Sequence, residues 1–232
     1  MPKSIVSLIE RKFSRPKTVK MEKKSLSNED IQQSYCLLKK KDFPKALRRI
    51  VEGAEDCYGI VFCETRKETK ELNEHLLSQG VSSVTLHGEL GQSQRDAAMK
   101  TFKQKKADLL VCTDVASRGI DVTNVTHVFN MGLPRNSEAY VHRIGRTGRA
   151  GTKGEAISFV SPSEKRKLRD IETLTGTKIK TFELPSPTLI KEKKVSKELE
   201  KMEALKTAVQ EKGENFNIDQ SFDEFQNYFD GL

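Results

Sequence analysis

Gly59-Ile60-Val61-Phe62-Cys63 is a continuous apolar run of strand length. Side chains that are apolar at every position, rather than at alternate ones, need hydrophobic layers on both sides, as in a buried parallel sheet. Downstream, Leu72, His75, Leu76 and Leu77 keep helical spacing until Gly80, which suits the residue just past a helix end. The alternation then repeats. Val84-Thr85-Leu86 predicts a short strand, and Arg95 to Phe102 a helix with Ala98, Met99 and Phe102 on one face. Leu109-Leu110-Val111-Cys112 and His127-Val128-Phe129-Asn130 predict two more strands, followed by a helix around Glu138 to Ile144 and a strand from Ala156 to Val160. Pro162 sits where a first-turn proline belongs, opening a charged helix toward Leu174. Upstream, Ile31, Tyr35 and Leu37 suggest a flanking strand, and Leu47, Ile50 and Val51 a leading helix. Buried strands separated by helices predict a three-layer α/β domain over residues 31–184, built on a doubly wound parallel sheet.

Outward from that core the composition changes. Residues 1–30 are basic, carry Pro2 and Pro16 as breakers, and read as a linker or the end of a preceding domain. Beyond Pro185-Ser186-Pro187, in residues 185–232, Lys191 to Lys212 is mostly Lys, Glu, Leu and Ala and reads as a solvated helix. The stretch from Phe216 to Asp230 is acidic and aromatic, with Phe222, Phe225 and Phe229 at helical spacing. Two readings stay open for it: a short helix packing on its own chain, or one exposed for a partner.

The 232 residues carry 41 Lys and Arg against 33 Asp and Glu, a net +8 that favours an anionic partner without establishing one. No apolar run approaches the roughly 20 residues of a membrane span, so the expectation is a cytoplasmic protein without membrane contact. Cys36, Cys57, Cys63 and Cys112 form no C-x-x-C pair and lie in or beside apolar stretches, which predicts reduced thiols rather than disulfides or a metal site.

The strongest chemical signal is His142-Arg143-Ile144-Gly145-Arg146-Thr147-Gly148-Arg149. Its arginines recur every third residue, about one per helical turn, and could form a stripe facing one ligand. Guanidinium forks match phosphate oxygens in pairs and stay charged at any working pH. Gly145 and Gly148 would be costly on an ordinary surface helix, so they point to close approach by another surface. A second signal, Thr113-Asp114-Val115-Ala116-Ser117-Arg118-Gly119-Ile120-Asp121, begins where a strand ends, the position at which open parallel sheets bind ligands. A third, His87-Gly88-Glu89-Leu90-Gly91-Gln92-Ser93-Gln94-Arg95, joins a strand to a helix, and Thr65-Arg66 follows the Phe62 strand.

Together these segments resemble the second RecA-like domain of DEAD-box RNA helicases. Phe62 to Thr65 resembles motif IV, Gln92-x-x-Arg95 the Q-x-x-R element, Ala116 to Asp121 motif V with Ser117 inserted, and His142 to Arg149 motif VI at every position. His142 is telling, because DEAH-type relatives usually carry Gln there. The resemblance implies that Arg146 and Arg149 act as catalytic arginine fingers and that Gly119 and Asp121 join them in binding ATP. It further implies that His142 and Arg143 brace an interdomain contact. RNA backbone contacts would come from Thr65, Arg66, Gly88, Gln92, Arg95, Thr113 and Asp114.

No G-x-x-x-x-G-K-[ST] and no Asp-Glu-Ala-Asp occurs in the sequence. By the resemblance, the phosphate loop and the Mg²⁺ carboxylates belong to a preceding N-terminal RecA-like domain, the partner with which this chain would share ATP and Mg²⁺. The expectation is then a C-terminal part of a larger helicase that hydrolyses no ATP alone. The layout after Pro185 resembles the extensions through which some bacterial DEAD-box proteins dimerise, so a homodimer is a further expectation. A rival reading is a non-catalytic RNA-binding fragment, since Gly145-Arg146-Thr147-Gly148 imitates the G-x-x-G of KH domains, although the surrounding strands disfavour that much smaller fold.

Overall fold

The computed structural model describes residues 3–13, 30–117, 122, 125–149 and 151–212. Its element order is α1 (Lys3–Lys12), β1 (Ile31–Leu37), α2 (Phe43–Gly53), β2 (Gly59–Cys63), α3 (Arg66–Ser78), β3 (Ser83–Leu86), α4 (Gln92–Lys103), β4 (Leu109–Thr113), β5 (His127–Met131), α5 (Ser137–Ile144), β6 (Gly154–Val160), α6 (Lys165–Thr175), β7 (Lys180–Thr181) and α7 (Pro187–Lys212). The strands form one sheet in the order β3-β4-β2-β5-β6-β1-β7, every pair parallel. This is the RecA-like, doubly wound sheet expected from the sequence.

The apolar run Gly59–Cys63 lies in the middle of that sheet. Val61 and Cys63 on one face join Phe43, Leu47 and Ile50 of α2 and Leu72 and Leu76 of α3. Ile60 and Phe62 on the other meet Phe102 of α4 and Leu110, Cys112 and Val128. Farther along that second face, Tyr140 and Ile144 of α5 and Leu168 and Ile171 of α6 cover Ile31, Ala156 and Val160. Each fully buried large apolar side chain contributes about 1.5–3 kcal/mol, so both faces are needed to hold the sheet. Burial pushes the Cys36 thiol up to about 11 and the Cys63 thiol up to about 12, and all four cysteines are free.

Several boundaries differ from the sequence reading. Helix α4 starts at Gln92, three residues before Arg95, because the Gln94 side chain reaches back to accept the Gly91 N–H at 3.0 Å. Pro162 opens a 3-10 turn, and α6 begins only at Lys165; Glu164 folds back onto the Ser161 N–H at 3.0 Å and Ser161 Oγ at 2.6 Å. Strand β7 was not foreseen: it is two exposed residues added to the β1 edge. Helix α7 docks by its first turns on α2, where Ile190 is buried and Lys193 Nζ donates to the Gly53 carbonyl at 2.7 Å. No helix among the described residues is long and apolar enough to cross a membrane.

Candidate nucleotide and nucleic-acid site

Strands β3, β4 and β2 are neighbours, and their carboxyl ends gather the first group of expected residues. Thr65 caps α3: its Oγ1 accepts the Glu68 N–H at 3.1 Å while the Glu68 carboxylate accepts the Thr65 N–H at 3.1 Å. Arg66 opens the helix and pairs with Glu89 at 3.1 Å, and Lys70, one turn on, meets the same carboxylate at 2.8 Å. That hydrogen bond and charge from Lys70, with Arg66 behind, hold the Glu89 carboxyl below its ordinary range. Thr65, Arg66, Lys70 and Glu89 line an open cavity of about 500 Å³. Gly88 is exposed beside it. Gln92 donates to Asp96 at 2.9 Å, and Arg95 donates to the Ala116 carbonyl at 3.2 Å, tying α4 to the turn after β4. Thr113 is buried at the end of that strand.

Asp114 and Arg143 form a different kind of contact. Arg143 Nε and Nη2 donate to the two Asp114 oxygens at 2.6 and 2.8 Å, and Nη1 donates to Asn130 Oδ1 at 3.1 Å. Asn130 in turn donates to Ser158 Oγ at 3.1 Å, and the guanidinium lies 5.2 Å from the centre of the Phe62 ring. The Arg143 side chain is only 4 % exposed. It sits between the two apolar clusters of its sheet face, fully engaged within its own domain.

The expected three-arginine stripe does not form, because α5 ends at Ile144 and the chain turns at Gly145. Arg143 points inward from the helix, whereas Arg146 and Arg149 flank a buried dipeptide. Thr147 is 1 % exposed, its hydroxyl donates to the Thr126 carbonyl at 3.1 Å, and its backbone bridges Val125. Gly148 has φ +63°, and a Cβ there would lie 2.4 Å from the Ile31 side chain; one on Gly154 would lie 2.1 Å from Thr147 Oγ1. Both positions therefore require glycine. Thr152 anchors the Arg149 carbonyl through its hydroxyl at 2.7 Å, and the exposed Arg149 donates Nε to the Gly145 carbonyl at 2.7 Å. Arg146 is partly exposed, and His142 is exposed on the last turn of α5. Gly119 and Asp121 lie outside the described residues.

Among the described residues no three His, Cys, Asp or Glu gather in a way that could hold a metal ion. The model of the helicase conserved C-terminal domain matches residues 42–151. The DEAD-box ATP-dependent RNA helicase RhpA of Helicobacter pylori is 40 % identical over 186 residues, 80 % of this chain and 38 % of RhpA. The Escherichia coli DEAD-box protein SrmB, solved bound to regulator of ribonuclease activity A, matches with a TM-score of 0.63 and 34 % identity over 68 % of this chain and 99 % of that one. The chain belongs to the DEAD-box family. It is the C-terminal RecA-like domain of that family, and it spans well under half the length of RhpA. A further DEAD-box relative, Dbp5 of Saccharomyces cerevisiae bound to RNA and ADP BeF3, matches with a TM-score of 0.70 and 27 % identity over 78 % of this chain and 49 % of that one.

In this DEAD-box domain several supporting residues escaped the sequence reading. Asn130 carried a signal, a polar residue inside an apolar strand. Glu89 lay within a quoted motif without a role, and Lys70 stood one helical turn after Arg66. The contact of Thr147 with Gly154 joins two separate segments and left no local trace.

Proposed function

We propose that this chain is the second RecA-like domain of an ATP-dependent RNA helicase, offering Arg146 and Arg149 to a triphosphate held by a neighbouring N-terminal RecA-like domain. The observation that carries the proposal is the buried Thr147-Gly148 pair, which fixes the loop from which both arginines spring. Preorganised cations need no rearrangement as charge develops on a transferring phosphoryl group. His142 would meet the neighbouring domain, and Gly119 and Asp121 would contact the nucleotide. Arg143, engaged with Asp114, acts as a positioning residue that fixes α5 against β4.

Thr65, Arg66, Gly88, Gln92, Arg95 and Thr113 would hold the backbone of one RNA strand at the carboxyl ends of β2, β3 and β4, with the half-exposed Asp114 beside them held in place by Arg143. Such contacts carry little sequence information. The yeast relative bound to RNA and ADP BeF3 supports this choice of ligands. Binding of ATP favours the closed pair of domains, closure bends the RNA strand, and hydrolysis reopens the cleft.

The test joins this chain to a domain bearing the phosphate loop and DEAD motif. Arg149→Ala should lower RNA-stimulated kcat by about 10³-fold or more, with ATP affinity little changed; an unchanged kcat would remove Arg149 from the finger role. The 232-residue chain alone should release no phosphate from ATP. Self-association through α7 is a second reading, favoured by exposed Val195, Leu199 and Met202 at spacings of four and three. Light scattering with and without residues 185–232 decides it.

A further inference from the structure

Glu89 faces Arg66 and Lys70 across a cavity that Lys67, Glu71 and Glu74 also line, and it is the carboxylate that both of those cations share. Its carboxylate spans from the loop after β3 to α3, and Arg66, Lys70 and Glu89 are 59 %, 50 % and 46 % exposed. Ion pairs that open to solvent do little for a fold. Arg66, Lys67 and Lys70 stand in the first turns of α3, where the helix dipole disfavours positive charge; Glu68 there is used by the cap and Glu71 pairs with Lys67 at 3.7 Å, which leaves Glu89 to Arg66 and Lys70. The arrangement is therefore poorly explained by stability. It is well explained by competition: a carboxylate and a phosphodiester offer the same two-oxygen acceptor to the same donors. His87 fixes the loop, its Nδ1 accepting the Glu89 N–H at 3.3 Å, while burial, followed by the Lys70 charge, lowers its pKa.

We propose that Glu89 is a built-in counter-ion of the RNA site, its carboxylate holding Arg66 and Lys70 in place until a backbone phosphate of single-stranded RNA displaces it. The inference rests on the reading of this patch as an RNA surface. While the strand is absent, Glu89 keeps two long side chains ordered and their charge muted. Once the strand is bound, the displaced carboxylate stays close to the phosphate, repels it, and recaptures both cations as the strand leaves. The device weakens binding in order to speed release.

The test is fluorescence anisotropy of the 232-residue chain with fluorescein-labelled oligouridylate over a potassium chloride series, with circular dichroism to verify folding. Glu89→Gln should tighten binding about 3- to 10-fold and steepen the salt dependence by about 0.7 in log–log slope, the increment of one further phosphate neutralised on a single strand. Glu89→Asp should stay near the parent. The double variant Arg66→Ala/Lys70→Ala should bind more weakly, with a flatter slope. If that double variant binds weakly but Glu89→Gln fails to tighten binding, the counter-ion role is overturned and the RNA surface stands. If the double variant binds as the parent does, the RNA reading of this patch falls, and the counter-ion with it.

Discussion

Among the arginine–carboxylate contacts of the described residues, those of Arg143 and Arg66 have carboxylates of nearly equal exposure, 45 % for Asp114 and 46 % for Glu89, and differ in the burial of the cation. Arg143 is buried, bidentate to Asp114, bonded to Asn130 and seated over Phe62. Arg66 stands in solvent with Lys70, both sharing Glu89. A guanidinium removed from water must keep its partner, because losing it leaves an uncompensated buried charge. A guanidinium in water can exchange its partner at small cost. Chemically similar pairs thus serve as a fixed brace in one region and as a replaceable contact in the other.

Urea denaturation of the full chain, compared across substitutions, measures what each contact contributes to the fold. Asp114→Ala should have the largest effect, about 3 kcal/mol of lost stability, because the Arg143 side chain, 4 % exposed beside its anion, would lose that partner. A loss no larger than that of an ordinary surface change would make the brace merely another exposed pair. Gly154→Ala should cost about 1–3 kcal/mol by overpacking, since its Cβ would lie 2.1 Å from Thr147 Oγ1, and in the joined enzyme it should lower kcat by misplacing Arg146 and Arg149. Thr65→Ala should cost about 1 kcal/mol through loss of the α3 cap. Glu89→Gln should leave the midpoint unmoved even as it alters RNA binding. A clear drop in its midpoint would transfer that cluster to the structural side of the comparison.

The sheet was legible because its central strands are apolar on both faces. Gly59 to Cys63 and Leu109 to Thr113 are buried at every position, so no register ambiguity obscured them. Strand β7 was not, since two exposed residues have neither periodicity nor hydrophobicity to reveal them. Helix α4 was read three residues short because its start is capped by Gln94 rather than by a Ser, Thr, Asp or Asn ahead of the helix. At the site, motif spacing located the residues and missed their wiring. Asp114 read as a carboxylate offered at a strand end, and nothing nearby in the chain announced that both oxygens were already taken by Arg143, 29 residues later. The even spacing of three arginines suggested one stripe, but the helix stops between the first and the second.

The seat of Thr147 and Gly148 has a mechanical consequence. With no room for so much as a methyl group at Gly148 or Gly154, the loop is bolted to the ends of β1, β5 and β6. In the proposed joined enzyme, the backbone that carries Arg146 and Arg149 would not shift toward a nucleotide on its own. It would arrive only with the whole domain, so the approach of these arginines would register the docking of an entire lobe rather than the rearrangement of a loop.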